Sequence, residues 1–165
     1  MPPSHRLPLL AAALLAFAAP LHAFELQRMD GARANLNDFI GGERWTLVQL
    51  WTTDCIPCER QKPMLETFHR DRVERDARVI GVALDGPAAM AEIEAIVARH
   101  NSSYTTLVAF DDVFDEQFAA LTGKPFRATP TYLLYTPDGA YAGAHVGPID
   151  LDRVERIISG SGVTR

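Results

Sequence analysis

Cysteine is scarce in this sequence: its 165 residues include two, which stand as Cys55-Ile56-Pro57-Cys58. A second Cys-x-x-Cys pair is missing, and so is a His-x-x-x-His pair. Structural zinc sites use the same cysteine spacing but need four ligands, so this scarcity argues against zinc. We therefore expect no metal centre and no bound cofactor, the only redox group being a Cys55–Cys58 disulfide.

An excess of positive charge is also lacking. One of the 16 Lys and Arg residues, Arg6, lies within the first 23 residues and none of the 21 acids does, so residues 24–165 carry a formal charge near −6. This balance argues against nucleic acid or anionic lipid as the main partner. We expect no nucleic-acid partner and no membrane contact beyond an N-terminal anchor.

One apolar run stands out, and it lies at the N-terminus. A weakly cationic start precedes residues 7–19, which are almost entirely apolar, and Ala23 is a small residue at a suitable cleavage position. The run is shorter than the about 20 residues that span a bilayer, which favours a secretory signal peptide over residues 1–23. The alternative is an uncleaved anchor that leaves the protein facing the periplasm. We expect residues 24–165 to form one domain in a bacterial periplasm.

Apolar strands and helical segments alternate through this domain. Asp30-Gly31 predicts a hairpin turn, and residues 45–51 and 78–84 are apolar runs typical of buried strands. A helix is predicted to begin near Cys55, and helix, strand, short helix, hairpin and closing helix follow the second run. Such alternation is typical of α/β proteins, with a right-handed crossover between the first two parallel strands.

The two cysteines follow the first of these core strands. Two intervening residues let both sulfurs meet across the first turn of a helix, where free N–H groups and partial positive charge stabilise a thiolate. A thiolate is the nucleophile of disulfide exchange. Pro57 is tolerated there because N–H groups in the first helical turn have no partner within the helix, so its missing N–H removes no helical hydrogen bond. The spacing favours a redox pair, while metal ligation and a purely structural disulfide remain alternatives.

Several motifs recur in the order that one family shows. They are Asp30-Gly31, Leu36-Asn37-Asp38-Phe39, Trp51 four residues before Cys55, Cys-x-Pro-Cys, Pro63, Thr129-Pro130, Pro137-Asp138-Gly139 and Gly147. This ordered set resembles the TlpA/ResA-like thioredoxin-fold thiol-disulfide oxidoreductases of bacterial periplasms. The resemblance implies a thioredoxin-like fold, with a central mixed sheet flanked by helices, an N-terminal hairpin and an inserted helix.

The resemblance also implies a reaction and partners. Cys55, at the helix start, would attack a substrate disulfide, and Cys58 would then resolve the mixed disulfide. Protein disulfides would be the substrates, including apocytochrome c during cytochrome c maturation. The protein would act as a reductant, with a membrane thiol reductase as its electron donor.

Four neighbouring residues would shape the site. The resemblance implies that Pro130 follows a cis peptide and lies against the disulfide; a cis X-Pro bond is usually kept for its geometry. Thr129 would offer its backbone to a substrate strand. Trp51 would either pack beside the disulfide or belong to the plain core, and Pro57 stands between the two cysteines.

Three positions depart from the family pattern. Gln49 stands where thioredoxins have a buried aspartate, and Gln61 where TlpA/ResA-like proteins commonly have a glutamate, so both usual proton acceptors are neutral amides here. Asp54 replaces a tryptophan; its carboxylate would either disfavour the Cys55 thiolate or cap the helix, and we favour the cap. Glu59 is either a substitute base that tunes the thiols or an ordinary first-turn surface residue.

Two other functions are built on this fold. A copper chaperone would use both thiolates with His145 as a third ligand, although the cysteine spacing is one residue shorter than in such proteins. A peroxiredoxin-type peroxidase would use Thr52, three residues before Cys55, but Val48 stands where its proline is expected.

Overall fold

The computed structural model describes residues 24–160, which form one seven-stranded sheet and four α-helices. The strands are β1 (Glu25–Arg28), β2 (Arg33–Asn35), β3 (Trp45–Trp51), β4 (Ala77–Ala83), β5 (Thr105–Ala109), β6 (Thr131–Tyr135) and β7 (Tyr141–Val146). The helices are α1 (Ile56–Arg72), α2 (Met90–Arg99), α3 (Phe114–Thr122) and α4 (Leu151–Gly160). The predicted leader, residues 1–23, lies outside this description.

The centre of the sheet is β3, in which all seven residues are buried. Its apolar sequence suits a strand that is covered on both faces. It pairs in parallel with β4 and antiparallel with β6, within the strand order β2-β1-β5-β4-β3-β6-β7. The β3–β4 register joins Trp45 to Ala77 and Trp51 to Ala83, so the carboxyl ends of both strands meet at one edge of the sheet.

The N-terminal hairpin extends this sheet. Gly31 has φ +86°, a conformation that favours glycine, and the Ala32 N–H donates to the Asp30 carboxylate at 3.0 Å. Strand β1 then pairs antiparallel with β5. The segment α2–β5–α3 lies between β4 and β6 in sequence and contains the expected inserted helix. The predicted thioredoxin-like fold with a mixed sheet is thus confirmed.

Helices cover the sheet through three buried clusters. The hairpin, α3 and one face of the central strands pack around Phe114 and Phe118. The other face packs against α1 and α4 through Leu65 and Val154. A third cluster joins Trp51, at the end of β3, to both cysteines and α2. The start of α1 is therefore fixed between the end of the central strand and α2.

A membrane-spanning helix is not found among residues 24–160: none of their helices has the necessary length and apolar character.

Truncating Leu65 tests the packing of α1. Its side chain is fully buried between α1 and the sheet. We expect Leu65→Ala to lower the free energy of unfolding by about 2–5 kcal/mol, because it removes apolar contacts and leaves a cavity. Denaturant titration of the oxidised protein measures the change. Val146→Ala, at an exposed position of β7, should change it by less than about 0.5 kcal/mol; equal losses would contradict the assigned packing.

Candidate active site

A disulfide joins Cys55 and Cys58 at the start of α1, with 1.99 Å between the sulfurs and 5.2 Å between the Cα atoms. Cys55 is itself the N-cap of the helix, and its Sγ accepts a hydrogen bond from the Cys58 N–H at 3.2 Å. Cys55 is 7% exposed, whereas Cys58 is completely buried. An approaching thiol or disulfide therefore meets the Cys55 sulfur first.

The segment between β3 and α1 is held by the neighbouring strand. Asp85 follows β4 closely, and its carboxylate accepts from the Thr53 N–H at 3.0 Å and from the Thr53 hydroxyl at 2.7 Å. The Leu84 N–H donates to the Trp51 carbonyl at 2.8 Å. These bonds fix the backbone that leads into Cys55. The sequence analysis missed Asp85, although its place near the end of a parallel neighbour of β3 would have indicated it.

The segment before β6 lies at the same edge of the sheet. The Thr129–Pro130 peptide is cis, as the resemblance implies, and Pro130 is buried. The hydroxyl oxygens of Thr129 and Thr52 lie 3.3 Å apart and share a hydrogen bond. Thr129 and Pro130 are thereby connected to the segment that leads into Cys55, and half-buried Thr129 stays accessible from outside.

The two amides that replace the family acids are joined by a tyrosine. Gln49 Nε2 donates to the Tyr132 hydroxyl at 3.1 Å and lies 3.5 Å from the Cys58 carbonyl oxygen. The Tyr132 hydroxyl donates to Gln61 Oε1, and Gln61 exchanges two further hydrogen bonds with the Ile149 backbone, at 2.9 and 3.0 Å. Burial raises the pKa of Tyr132 far above its usual value, so this hydroxyl stays protonated.

This Gln49–Tyr132–Gln61 chain connects β3, β6, α1 and the segment before α4. All of its members are neutral, so it offers no proton acceptor to Cys58. Both amide nitrogens and the Tyr132 hydroxyl are hydrogen-bonded, whereas the buried Gln49 Oε1 has no hydrogen-bond partner among the described residues. Tyr132 was not among the residues predicted for the site. Its alternation on a strand gave no reason to expect that its hydroxyl would bridge the two amides.

The two acids close to the cysteines have different surroundings. Glu59 accepts from Arg99 at 3.0 Å and is hydrogen-bonded with His100 at 3.1 Å, so it ties α1 to the end of α2. Asp54 is exposed, and its predicted role as the helix cap is wrong because Cys55 occupies that position. The short segment between β3 and α1 brings Cys55 itself to the N-cap position, so Asp54 stands one residue before the cap. Whether Asp54 and Glu59 tune the thiols stays a prediction.

Trp51 forms the buried floor of the site, next to the disulfide. It is fully buried in the cluster that holds both cysteines, and the Lys62 Nζ lies 3.5 Å from the centre of its ring. Lys62 is itself only 1% exposed. Burial lowers the pKa of Lys62 to about 8, although the negative charge of Glu59 opposes that shift. The sequence analysis missed Lys62, which the i, i+4 spacing from Cys58 would have placed on the same face of α1.

His145, the proposed third copper ligand, lies on the exposed edge strand β7 and is hydrogen-bonded with the Pro148 carbonyl at 3.1 Å. Within residues 24–160, no group of three or more His, Cys, Asp or Glu side chains is arranged to hold a metal ion.

Removing the Tyr132 hydroxyl tests the amide chain. We expect Tyr132→Phe to destabilise the oxidised protein by about 1–3 kcal/mol, because Gln49 and Gln61 lose a buried hydrogen-bond partner. The matched control is Tyr135→Phe, on the same strand, where the buried ring packs against Tyr141 outside this chain of hydrogen bonds. Denaturant titration of both variants measures the difference; equal stabilities would contradict the assigned role of Tyr132.

Comparison with known proteins places this arrangement in a family. Residues 18–141 match the model of the AhpC/TSA family, which covers most of the chain. The curated thiol-disulfide oxidoreductase ResA of Halalkalibacterium halodurans is 25% identical over 135 residues, covering 82% of this chain and 71% of that protein.

Solved structures share the fold at lower identity. The thioredoxin domain of a thiol-disulfide oxidoreductase from Bacteroides vulgatus superposes with a TM-score of 0.67 at 19% identity, covering 82% of this chain and 93% of the other. A secreted Mycobacterium tuberculosis disulfide oxidoreductase, described as homologous to Escherichia coli DsbE, gives 0.63 at 17% identity, covering 83% and 95%. The chain belongs to the AhpC/TSA family, and within it is similar to the thioredoxin-fold thiol-disulfide oxidoreductases of the TlpA/ResA-like group.

Proposed function

We propose that this protein exchanges its Cys55–Cys58 disulfide with protein substrates outside the cytoplasm. The observation that carries the proposal is the unequal position of the two sulfurs. Cys55 reaches the surface as the helix cap, while Cys58 is completely buried behind it. One sulfur is therefore available to a substrate, and the other only to its partner.

The reaction follows from that arrangement. In the reduced protein, the Cys55 thiolate attacks a substrate disulfide; a Cys55–substrate bond forms and one substrate sulfur leaves as a thiolate. The Cys58 sulfur then attacks Cys55 Sγ, the mixed disulfide breaks, and the second substrate sulfur leaves. The substrate gains two electrons and the protein regains its disulfide. The N-terminal end of α1 and the Cys58 N–H stabilise the attacking thiolate.

The surroundings of Cys55 support an extended protein substrate. Ile56 is 63% exposed and Pro57 is also exposed, so an apolar surface lies beside the attacking sulfur. Thr129, across the site and tied to Thr52, is the residue whose backbone would pair with the substrate chain. Apolar contact on one side and backbone pairing on the other would recognise many sequences.

The direction of electron flow is proposed from the family. We propose that the protein reduces its substrates, apocytochrome c among them, and is itself reduced by a membrane thiol reductase. The resemblance to the TlpA/ResA-like group supports this direction. The apolar run before residue 24 and the secreted Mycobacterium tuberculosis structure support a periplasmic location, with the leader removed or kept as an anchor.

Trapping tests the roles of the two cysteines. We expect Cys58→Ser, once reduced, to form a stable Cys55-linked adduct with insulin, because no second thiol releases the substrate. Cys55→Ser should form at least about tenfold less adduct, since the remaining sulfur is buried. Non-reducing electrophoresis and mass spectrometry of the linked peptides measure both.

Equal trapping by the two variants, or none by Cys58→Ser, would refute the assigned roles. Two further measurements decide between the alternatives. Peroxide consumption by the unmodified protein well above background would favour a peroxidase, and stoichiometric copper(I) retention that is lost in His145→Ala would favour a copper chaperone.

A further inference from the structure

Lys62 is an ionisable residue that the proposed exchange does not yet use. The chain has two lysines, Lys62 and Lys124. Lys124 is exposed, as is usual for lysine, whereas Lys62 is 1% exposed. An ammonium group that is removed from water is costly unless it is paired, so a buried lysine beside a reactive centre indicates a functional role.

Its position on α1 places Lys62 beside the buried cysteine. Residues four apart on a helix are neighbours on one face, so the Lys62 side chain lies one turn from Cys58. Its Nζ lies 3.5 Å from the centre of the Trp51 ring, and Trp51 shares a buried cluster with both cysteines. The aromatic face stabilises the ammonium and also holds it at the floor of the site.

Lys62 forms no salt bridge within the described residues. Among residues 24–160, Glu59 on the same helix is the one carboxylate whose charge acts on it, and Glu59 is already engaged by Arg99 and His100 at the end of α2. Burial accordingly outweighs the attraction and lowers the pKa of Lys62 to about 8. A neutral amine is thus accessible near neutral pH, which is rare for lysine.

The other ionisable groups nearby are engaged elsewhere or stay neutral. Glu66, one turn further along α1, accepts from the Ser103 N–H and hydroxyl at 2.7 Å. Arg78 of β4 binds Thr46 and Gly41 at the opposite end of the strands. Three more ionisable groups on or next to the neighbouring strands are neutral or engaged: Tyr104, whose pKa burial raises to about 12, the neutral Tyr132, and Asp85, bound to Thr53.

We propose that the Lys62 amine accepts the proton of the Cys58 thiol and then balances the charge of the Cys58 thiolate. The proposal rests on the exchange reaction above and assigns the proton acceptor that Gln49 and Gln61 cannot be. In the mixed disulfide, the Cys58 proton moves to Lys62 Nζ. The Cys58 thiolate attacks Cys55 Sγ, the Cys55–substrate bond breaks, and the departing substrate thiolate is protonated from solvent or by the Lys62 ammonium.

An aromatic disulfide separates the two steps. Reduced protein with equimolar 5,5′-dithiobis(2-nitrobenzoate) releases one coloured thiolate when Cys55 attacks and a second when Cys58 resolves the adduct. We expect Lys62→Met to slow the second phase at pH 7 by about tenfold or more and to move its pH midpoint up by about one unit or more. The first phase should be unchanged, and Lys124→Met should alter neither phase.

The outcomes distinguish the two proposals. A normal first phase with an unchanged second phase in Lys62→Met overturns the role of Lys62 and leaves the exchange function standing. Absence of either phase in the unmodified protein refutes the exchange function, and the role of Lys62 with it.

A second measurement needs no variant. The two lysine Cε signals can be followed by NMR against pH in the oxidised and the reduced protein, which covers the case that Lys62→Met does not fold. A Cys58 thiolate stabilises the ammonium, so we expect the Lys62 midpoint to be higher in the reduced protein and the Lys124 midpoint to be the same in both. Equal Lys62 midpoints in the two states overturn the proposal.

Discussion

The parallel pairing of β3 with β4 is the constraint on which the site depends. Because the two strands run in the same direction and in register, Trp51 and Ala83 end side by side. The chain that leaves β3 therefore passes Asp85, which fixes Thr53 by its backbone and its hydroxyl. The start of α1 follows from that position. So do the places of the two sulfurs, since Cys55 at the cap is 7% exposed and Cys58 is completely buried.

Beside the disulfide, the neutral amides Gln49 and Gln61 stand where related proteins have acids, and they form hydrogen bonds in place of a buried charge. An acid at position 49 or 61 would be a buried carboxylate close to Cys58, with a pKa raised by burial. The amides avoid that cost and instead join three elements through Tyr132. They leave proton transfer to another group, and the buried amine on the same helix is suitably placed for it. Gln49, Tyr132 and Gln61 thus support the structure, while Lys62 is the residue to which we assign proton transfer.

Much of the fold could be predicted because its elements carry local patterns. The continuous apolar runs at β3 and β4, the Asp30-Gly31 turn and the helix after Cys55 each follow from residue type and spacing. The cysteine pair followed from a short motif, and the place of Pro130 followed from the resemblance to the family. In contrast, the contacts of Asp85, Tyr132 and Lys62 join residues distant in sequence or depend on which face of an element is buried.

Asp54 shows that a strong local preference can also give a wrong prediction. A capping residue was expected one position before the cysteine because Asp is a strong cap. The helix begins one residue later than that expectation required, and the sulfur itself takes the N–H bond. Helix boundaries depend on the segment that leads into the helix. Here Asp85, which follows β4, fixes that segment through Thr53, and local residue preference does not reveal this contact.

The central claim is that Cys55 and Cys58 form a reversible pair that delivers electrons to protein disulfides. Its most direct test is the reduction potential of this pair, measured by equilibration in thiol buffers with alkylation and mass readout. The account predicts a value near that of thioredoxin, about −270 mV or lower. A value between about −180 and −120 mV, typical of proteins that donate disulfides, would contradict it.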